Sequence, residues 1–443
     1  MSANEAAQPG RGPRLNWRFT FLIGFGFFGT SVLWTLYNAY VPVYLQAGNP
    51  TFDSHGEVGF GLGQGLTGVI MTLDNIVAFF LLPLIGAWSD RVWTRFGRRM
   101  PFILLLAPLS VVAFVVIPLV VQMIPPELSG QVDRLGTPLA LFMIVLGVFL
   151  TTMAGFRTPV IALMPDLTPS PLRSQANGII NLMGGVGTLI ATLGSGFLYG
   201  IGQIVPFAFG GALMLVAVLM LFLFVKEPKE FEAAAHEDER LGVLRGLKRV
   251  SSADRRSLAF LMGAIFCWFV GYNAVETFLS SYGVSELGMS IGRAPLLMGV
   301  ASLAFLIFAV PSGYVAARFG RRRTIVAGLL VFGGLLATNF LLRNATLIWP
   351  ILAVGGMGWA LVNINSLPMV VDTAASAADL GVYTGMYYFA SQSAAVIGPI
   401  VNGYIVEWGG GDYNLIFLAT PAFFVLAILC MLGVTKGEAK GSG

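Results

Sequence analysis

The sequence predicts an all-α integral membrane protein: twelve transmembrane helices in two pseudo-symmetric six-helix bundles. Three observations carry this. Of 443 residues 56% are hydrophobic and only 11% charged, where a soluble protein carries about 25% charged residues. Apolar runs long enough to cross a ~30 Å hydrocarbon core, about 20 residues each, recur twelve times. Finally, one charged turn, RFGRR, occurs at 95–99 and again at 318–322, half a chain apart.

The spans centre on 19–46, 64–89, 101–123, 137–164, 172–200, 205–226, 257–284, 294–317, 324–342, 346–371, 380–407 and 414–435. The first follows Arg14 and Arg18 and is too long for a cleaved signal h-region. Residues 226–256, KEPKEFEAAAHEDERLGVLRGLKRVSSADRR, are the one long charged stretch. Their mixed charges read as a solvated linker helix on the membrane face. The expected division is a tail (1–16), a first bundle (17–226), the linker (227–256), a second bundle (257–435) and a tail (436–443). The final GSG reads as an expression scar.

Orientation follows from the short loops. Arg91, Arg95, Arg98 and Arg99 follow the second span, and Arg318, Arg321, Arg322 and Arg323 follow the eighth. The loops after spans 1, 3 and 9 carry few basic residues. Arginine favours the cytoplasmic side, so both termini are expected there, in a plasma (bacterial inner) membrane. The net charge of +4 lies in these loops and forms no basic face for nucleic acid.

Each RFGRR turn follows the second helix of its half. Repeated halves are the mark of a carrier that holds cargo near the midplane between them. A cytoplasmic latch is expected from Asp90, Arg91, Gly97, Arg98, Arg99, Arg318, Arg321 and Arg322. Arginines in a tight glycine turn can reach a carboxylate or a helix C-terminus.

Charges inside spans are costly and need a reason. Asp74 (GVIMTLDNIVAFF) reads as lying more than two turns from either end of its span. Glu276 lies mid-span, one turn after Asn273, and Arg157 just before Pro159. Asp166 sits nearer the cytoplasmic end of span four. Asp74, Glu276 and Asp166 are the proton-coupling candidates, because a carboxylate in a cavity of low polarity takes up a proton reversibly. Arg157 is either an ion-pair partner of Asp74 or Glu276, or a substrate contact.

Hydrogen-bonding and aromatic side chains share several spans. They are Trp34, Tyr37 and Asn38; Tyr272 and Asn273; Trp359, Asn363 and Asn365; Tyr388 and Gln392. With Arg157 these are the substrate-binding candidates. Glycines in spans five and eleven, including Gly196, Gly200, Gly398 and Gly403, read as close helix packing.

The motif G-x-x-S-D-R followed by R-F-G-R-R resembles the helix 2–3 signature of the major facilitator superfamily. SDRVWTRFGRRMPFI is similar to that of sucrose transporters and the glycoside-pentoside-hexuronide:cation symporter group. ALMPDLTPSPLRSQANGIINLMGGVG (162–187) resembles the helix 4–5 segment of those proteins. The resemblance implies cation-coupled transport of a sugar or glycoside by alternating access, as a monomer in the lipid bilayer. It places a coupling aspartate on Asp166 and an arginine near Arg173, which joins the candidates for the cytoplasmic latch. The sodium-binding aspartates of melibiose-type members fall on Ala78 and Leu82, so that sodium site does not carry over and a proton is the expected ion. No metal or other cofactor is expected: His55 and His236 lie in loops, and no phosphate loop is present. The expected function is proton-coupled symport of a sugar, with no enzymatic activity. A carrier of the same fold with another cargo, such as a drug:proton antiporter, is the alternative. A membrane enzyme or non-transporting binder fits less well, for want of a nucleophile–base pair.

Overall fold

The computed structural model describes residues 15–168, 172–227, 252–373 and 380–437. Among these, thirteen α-helices build twelve spans. They are α1 (Trp17–Gln46), α2 (Gln64–Met71), α3 (Leu73–Arg91), α4 (Met100–Gln122), α5 (Gly136–Leu167), α6 (Arg173–Ile201) and α7 (Val205–Phe224). Then follow α8 (Ser252–Ser285), α9 (Pro295–Phe319), α10 (Arg321–Leu342), α11 (Ile348–Val371), α12 (Leu380–Trp408) and α13 (Ile416–Leu432). Most of the sequence-read linker, 228–251, lies outside the described residues.

The helix ends obey local chemistry. The Asn16 side chain accepts the Phe19 N–H at 3.2 Å and opens α1, a side-chain N-cap. Proline stands in the first turn of α4 and α7, where its missing N–H costs nothing. Large apolar side chains such as Phe80, Leu105, Ile144, Phe197, Val310 and Leu341 are exposed. In water such a surface would aggregate, whereas against lipid tails it is the solvated face.

The second span carries a local break. The second span is two helices, because α2 ends at Thr72, whose N–H and Oγ1 both turn back to the Val69 carbonyl at 3.1 and 2.8 Å. Asp74 therefore stands in the first turn of α3, and within the span Gln64–Arg91 it lies more than two turns from either end, as the sequence predicts. Hydropathy sums over the break without registering it.

The chain forms two compact units. The first comprises residues 1–62, 73–233 and 290–296, and the second 63–72, 234–289 and 297–443. In the first, α1 packs on α6 and α7. Glycines allow it: a Cβ on Gly187 would lie 2.6 Å from the Phe28 carbonyl oxygen, and one on Gly210 2.5 Å from Leu36. In the second, α8 packs on α12 and α13 in the same pattern, with Gly398 against the Val270 carbonyl. The same helix order pairs in the same way in each unit, as a repeat requires.

Candidate functional site

In the first unit the α1 side chains form an aromatic wall. Trp34 meets Tyr37 edge-on at 5.3 Å and Phe149 at 5.8 Å, and Phe149 also lies 5.2 Å from Phe114. Tyr37 is fully buried, while Trp34 and Asn38 are half-buried. Neither the Trp34 indole N–H nor the Tyr37 hydroxyl has a hydrogen-bond partner. Buried donors of this kind are rare in native proteins and call for an explanation. Asp74 lies within electrostatic range of Tyr37 and of Arg157, and accepts from Asn75 Nδ2 at 2.8 Å. Trp34, Tyr37, Asp74 and Arg157 thus form one polar–aromatic cluster, drawn from α1, α3 and α5.

The second unit has its own cluster. Tyr272 and Trp359 stack face to face, ring centroids 4.0 Å apart and planes 4° from parallel. Phe269 meets Trp359 edge-on at 5.5 Å. Glu276 is electrostatically coupled to Tyr272, one helical turn away on α8. Asn273 donates to the Phe269 carbonyl at 2.7 Å, and Asn365 donates to the Leu361 carbonyl at 2.9 Å. These amides spend a donor on their own helices. Asn363 is half-buried, whereas Tyr388 and Gln392 are exposed on α12. Their neighbour Tyr387 is buried, its hydroxyl 3.1 Å from Ser366 Oγ.

Asp166 lies elsewhere. Its carboxylate bridges Arg98 Nη2 at 2.8 Å and Arg99 Nε at 3.0 Å. Asp90 completes the knot, 2.5 Å from Arg99 Nη2 and 3.6 Å from Arg98 Nη1, and Arg99 also donates to Ser89. Gly97 makes the turn with φ of 106°, the left-handed region that favours glycine. Arg91 is exposed at the end of α3. Arg173 opens α6, and its side chain lies outside the described residues.

The sequence reading missed Glu227. It was assigned to a solvated linker, yet its carboxylate accepts the backbone N–H groups of Arg98, Arg99 and Met100 at 2.8–3.1 Å. The start of α4 offers unpaired donors and a positive dipole end, and Glu227 satisfies both. The signal was its place directly after α7, on the same side as the turn.

At the second RFGRR copy, Arg321 pairs with Asp372 and donates to the Pro368 carbonyl. Arg322 donates to the Leu432 carbonyl at 2.8 Å, and Arg318 stacks over Phe319. Gly320 carries φ of 87°.

Two carboxyls outside the spans lie above the ordinary carboxylate range because burial penalises their charge. Glu57 accepts from Gln203 at 3.0 Å, and Glu286 accepts the Tyr413 N–H at 3.1 Å. They pin loops at the end of each unit away from the charged turns.

Among the described residues no cluster of three or more His, Cys, Asp or Glu could hold a metal ion. Twelve spans, a repeated charged turn, and acidic and aromatic groups inside the spans define a multi-pass membrane carrier. The chain belongs to the Major Facilitator Superfamily, whose family model matches residues 19–392 and again 286–443. It is 21% identical over 374 residues to the tetracycline resistance protein, class E, of Escherichia coli, covering 82% of this chain and 84% of that one. A shorter stretch of 96 residues is 38% identical to the human proton-associated sugar transporter A, covering 21% of this chain and 11% of that one. Among solved structures, the nucleoside transporter NupG superposes with a TM-score of 0.69 at 16% identity, covering 94% of this chain and all of that one. At that identity the likeness concerns the fold alone.

Proposed function

We propose that this transporter imports a sugar or glycoside together with a proton, by alternating access. The observation that carries the reading is the Tyr272–Trp359 stack, 4.0 Å apart, one helical turn from the membrane-embedded Glu276. Flat aromatic surface suits the apolar face of a sugar ring, and asparagines such as Asn273 and Asn363 suit its hydroxyls. A carboxylate coupled to that platform lets proton and cargo sense each other. Asp74, with Arg157 and Tyr37, is the second coupling candidate. The ion pairs of Asp166 favour a role in the cytoplasmic knot over direct proton carriage. The local similarity to a proton-associated sugar transporter agrees with this cargo. The arginine-rich turns favour a bacterial inner-membrane setting with both termini cytoplasmic, and the carrier works as a monomer. The expected domains are two bundles joined by the 227–256 linker.

The test is uptake into proteoliposomes. Radiolabelled sugars are screened by counterflow, then a pH gradient is imposed. Glu276→Gln or Asp74→Asn, whichever removes the proton carrier, keeps exchange and loses uphill accumulation; Asp166→Asn is the control. Full proton-driven accumulation in all three variants would overturn proton coupling. The full-length similarity to a tetracycline resistance protein favours a second reading, drug:proton antiport. In that case an inward proton gradient drives the cargo out of the compartment that the proton enters, the opposite sign in the same assay.

A further inference from the structure

The chain has two cysteines, Cys267 and Cys430, and the fold of the second unit brings both to one helix interface. Cys267 lies on α8 and Cys430 near the end of α13. Both thiols are free and half-buried.

Glycines and one hydrogen bond fix the register of the two helices. A Cβ on Gly271 would lie 3.0 Å from both Phe424 and Thr420. Thr420 Oγ1 donates to the Gly271 carbonyl at 3.1 Å. A Cβ on Gly263 would lie 3.5 Å from Cys430 Sγ, and one on Gly433 2.6 Å from the Phe260 ring. Residue numbers rise along α8 as they fall along α13, so the helices run antiparallel. Positions 260, 263, 267 and 271 recur at steps of three and four and share the face of α8 that meets α13. Cys267 therefore stands on the contact stripe, one turn from the glycine that Cys430 touches.

Side-chain direction closes the remaining gap. In an α-helix the Cα–Cβ bond tilts toward the N-terminus. Cys267 thus leans back toward Gly263, where Cys430 Sγ lies. Cys430 leans along α13 toward Thr420, which is the direction of Cys267. Antiparallel packing turns the two tilts toward each other, and Gly263, lacking a side chain, leaves room for both thiols. The two lie within electrostatic range of one another.

Two donors in an apolar setting select the ligand. Among the described residues no third His, Cys, Asp or Glu completes a larger metal cluster, so an ion that needs four protein ligands is not served. Thiolates are soft donors and prefer soft ions. Charge buried within a span is costly. A monovalent ion between two thiolates leaves a negative charge, whereas a divalent ion leaves none. The fit is a soft divalent cation satisfied by two ligands, as Hg²⁺ is.

We infer that Cys267 and Cys430 form a dithiol site for a soft divalent cation, which bridges α8 to α13. Each thiol gives up its proton to the aqueous phase, two metal–sulfur bonds form, and the bridged product is uncharged. The bridge staples α8 little more than one turn before Tyr272, on the helix that carries the aromatic platform. The site does not depend on the identity of the cargo.

The experiment titrates Hg²⁺ into the full-length protein in detergent and reads intact mass, thiol labelling and melting temperature. One equivalent adds one mercury per chain with the loss of two protons, and shields both thiols from N-ethylmaleimide. The melting temperature rises, because a ligand of the folded state stabilises it. In Cys267→Ala and in Cys430→Ala the remaining thiol holds mercury about a hundredfold less tightly against added glutathione, since a second thiol held nearby acts as a high effective concentration. Two mercury ions per wild-type chain, or one thiol still open to N-ethylmaleimide at one equivalent, would overturn the inference. Equal retention of mercury by either single variant would do the same. The wild-type mass and labelling decide the matter even if a variant fails to fold.

Discussion

The two RFGRR turns share a sequence but not a set of partners. In the first, Arg99 is only 2% exposed and is shared between Asp90 and Asp166, with Glu227 capping the turn from below. In the second, Arg321 is 19% exposed and pairs with Asp372, which is 40% exposed. The position matching Asp90, counted back from the turn, is Gly313. Asp166 and Asp372 both stand at the end of the fourth helix of their halves, so that partner is retained. The repeat therefore preserves the turn, the glycine with positive φ and one carboxylate. Among the described residues, a second carboxylate (Asp90) and a cap (Glu227) accompany the first copy. The matching arginines Arg98 and Arg321 are similarly covered, 15% and 19% exposed, and the difference lies in the aspartate: Asp166 is 12% exposed and Asp372 40%.

The contrast can be broken most directly at its shared aspartate. Asp166→Asn leaves two poorly hydrated arginines short of a partner, and breaking a buried ion pair costs ~3 kcal/mol or more. Asp372→Asn, at a half-open site, costs under ~1 kcal/mol. Parallel thermal melts in detergent decide the matter; equal losses would mean that the two turns are energetically alike.

Next in size is the glycine of each turn. Gly97→Ala forces an L-residue into left-handed backbone, costing ~1–2 kcal/mol. Its Cβ would also lie 2.5 Å from the Glu227 carboxyl carbon, so the cap is displaced as well. Gly320→Ala carries the same backbone cost, at φ of 87°. A melt of Gly97→Ala against wild type checks the loss.

Glu227→Ala removes the acceptor of three backbone N–H groups and costs ~1 kcal/mol, the worth of a helix cap. The check is a melt of the Gly97→Ala/Glu227→Ala double variant, whose loss falls short of the sum because both changes remove the same cap.

The smallest expected effect sharpens the comparison by construction. Gly313→Asp installs the missing carboxylate at a position where a Cβ meets nothing within 4 Å. The gain is below ~1 kcal/mol, since the new pair is solvated. A rise in melting temperature that disappears at high salt identifies it as electrostatic.

Twelve spans, their borders to within a few residues and the repeated turn were all legible in the sequence. Each is a local sum: a run of apolar residues excludes water whatever lies beside it, and a glycine between arginines turns the chain wherever it occurs. The same reading flagged Asp74, Arg157 and Glu276, because a charge in an apolar run is visible without a fold. The partners of those charges were not legible. That Asp166 ties Arg98 and Arg99 together, that Glu227 belongs to the turn, that Tyr387 reaches Ser366, and that Tyr272 lies flat on Trp359 all depend on how one helix is rotated against another. Rotation is set by packing of small and large side chains across helices distant in sequence. The break at Thr72 is of the same kind: no proline or charge marks it in the chain. It shows only where a short glycine segment rests on one unit and the helix after it on the other, and that allegiance is decided by tertiary contact alone.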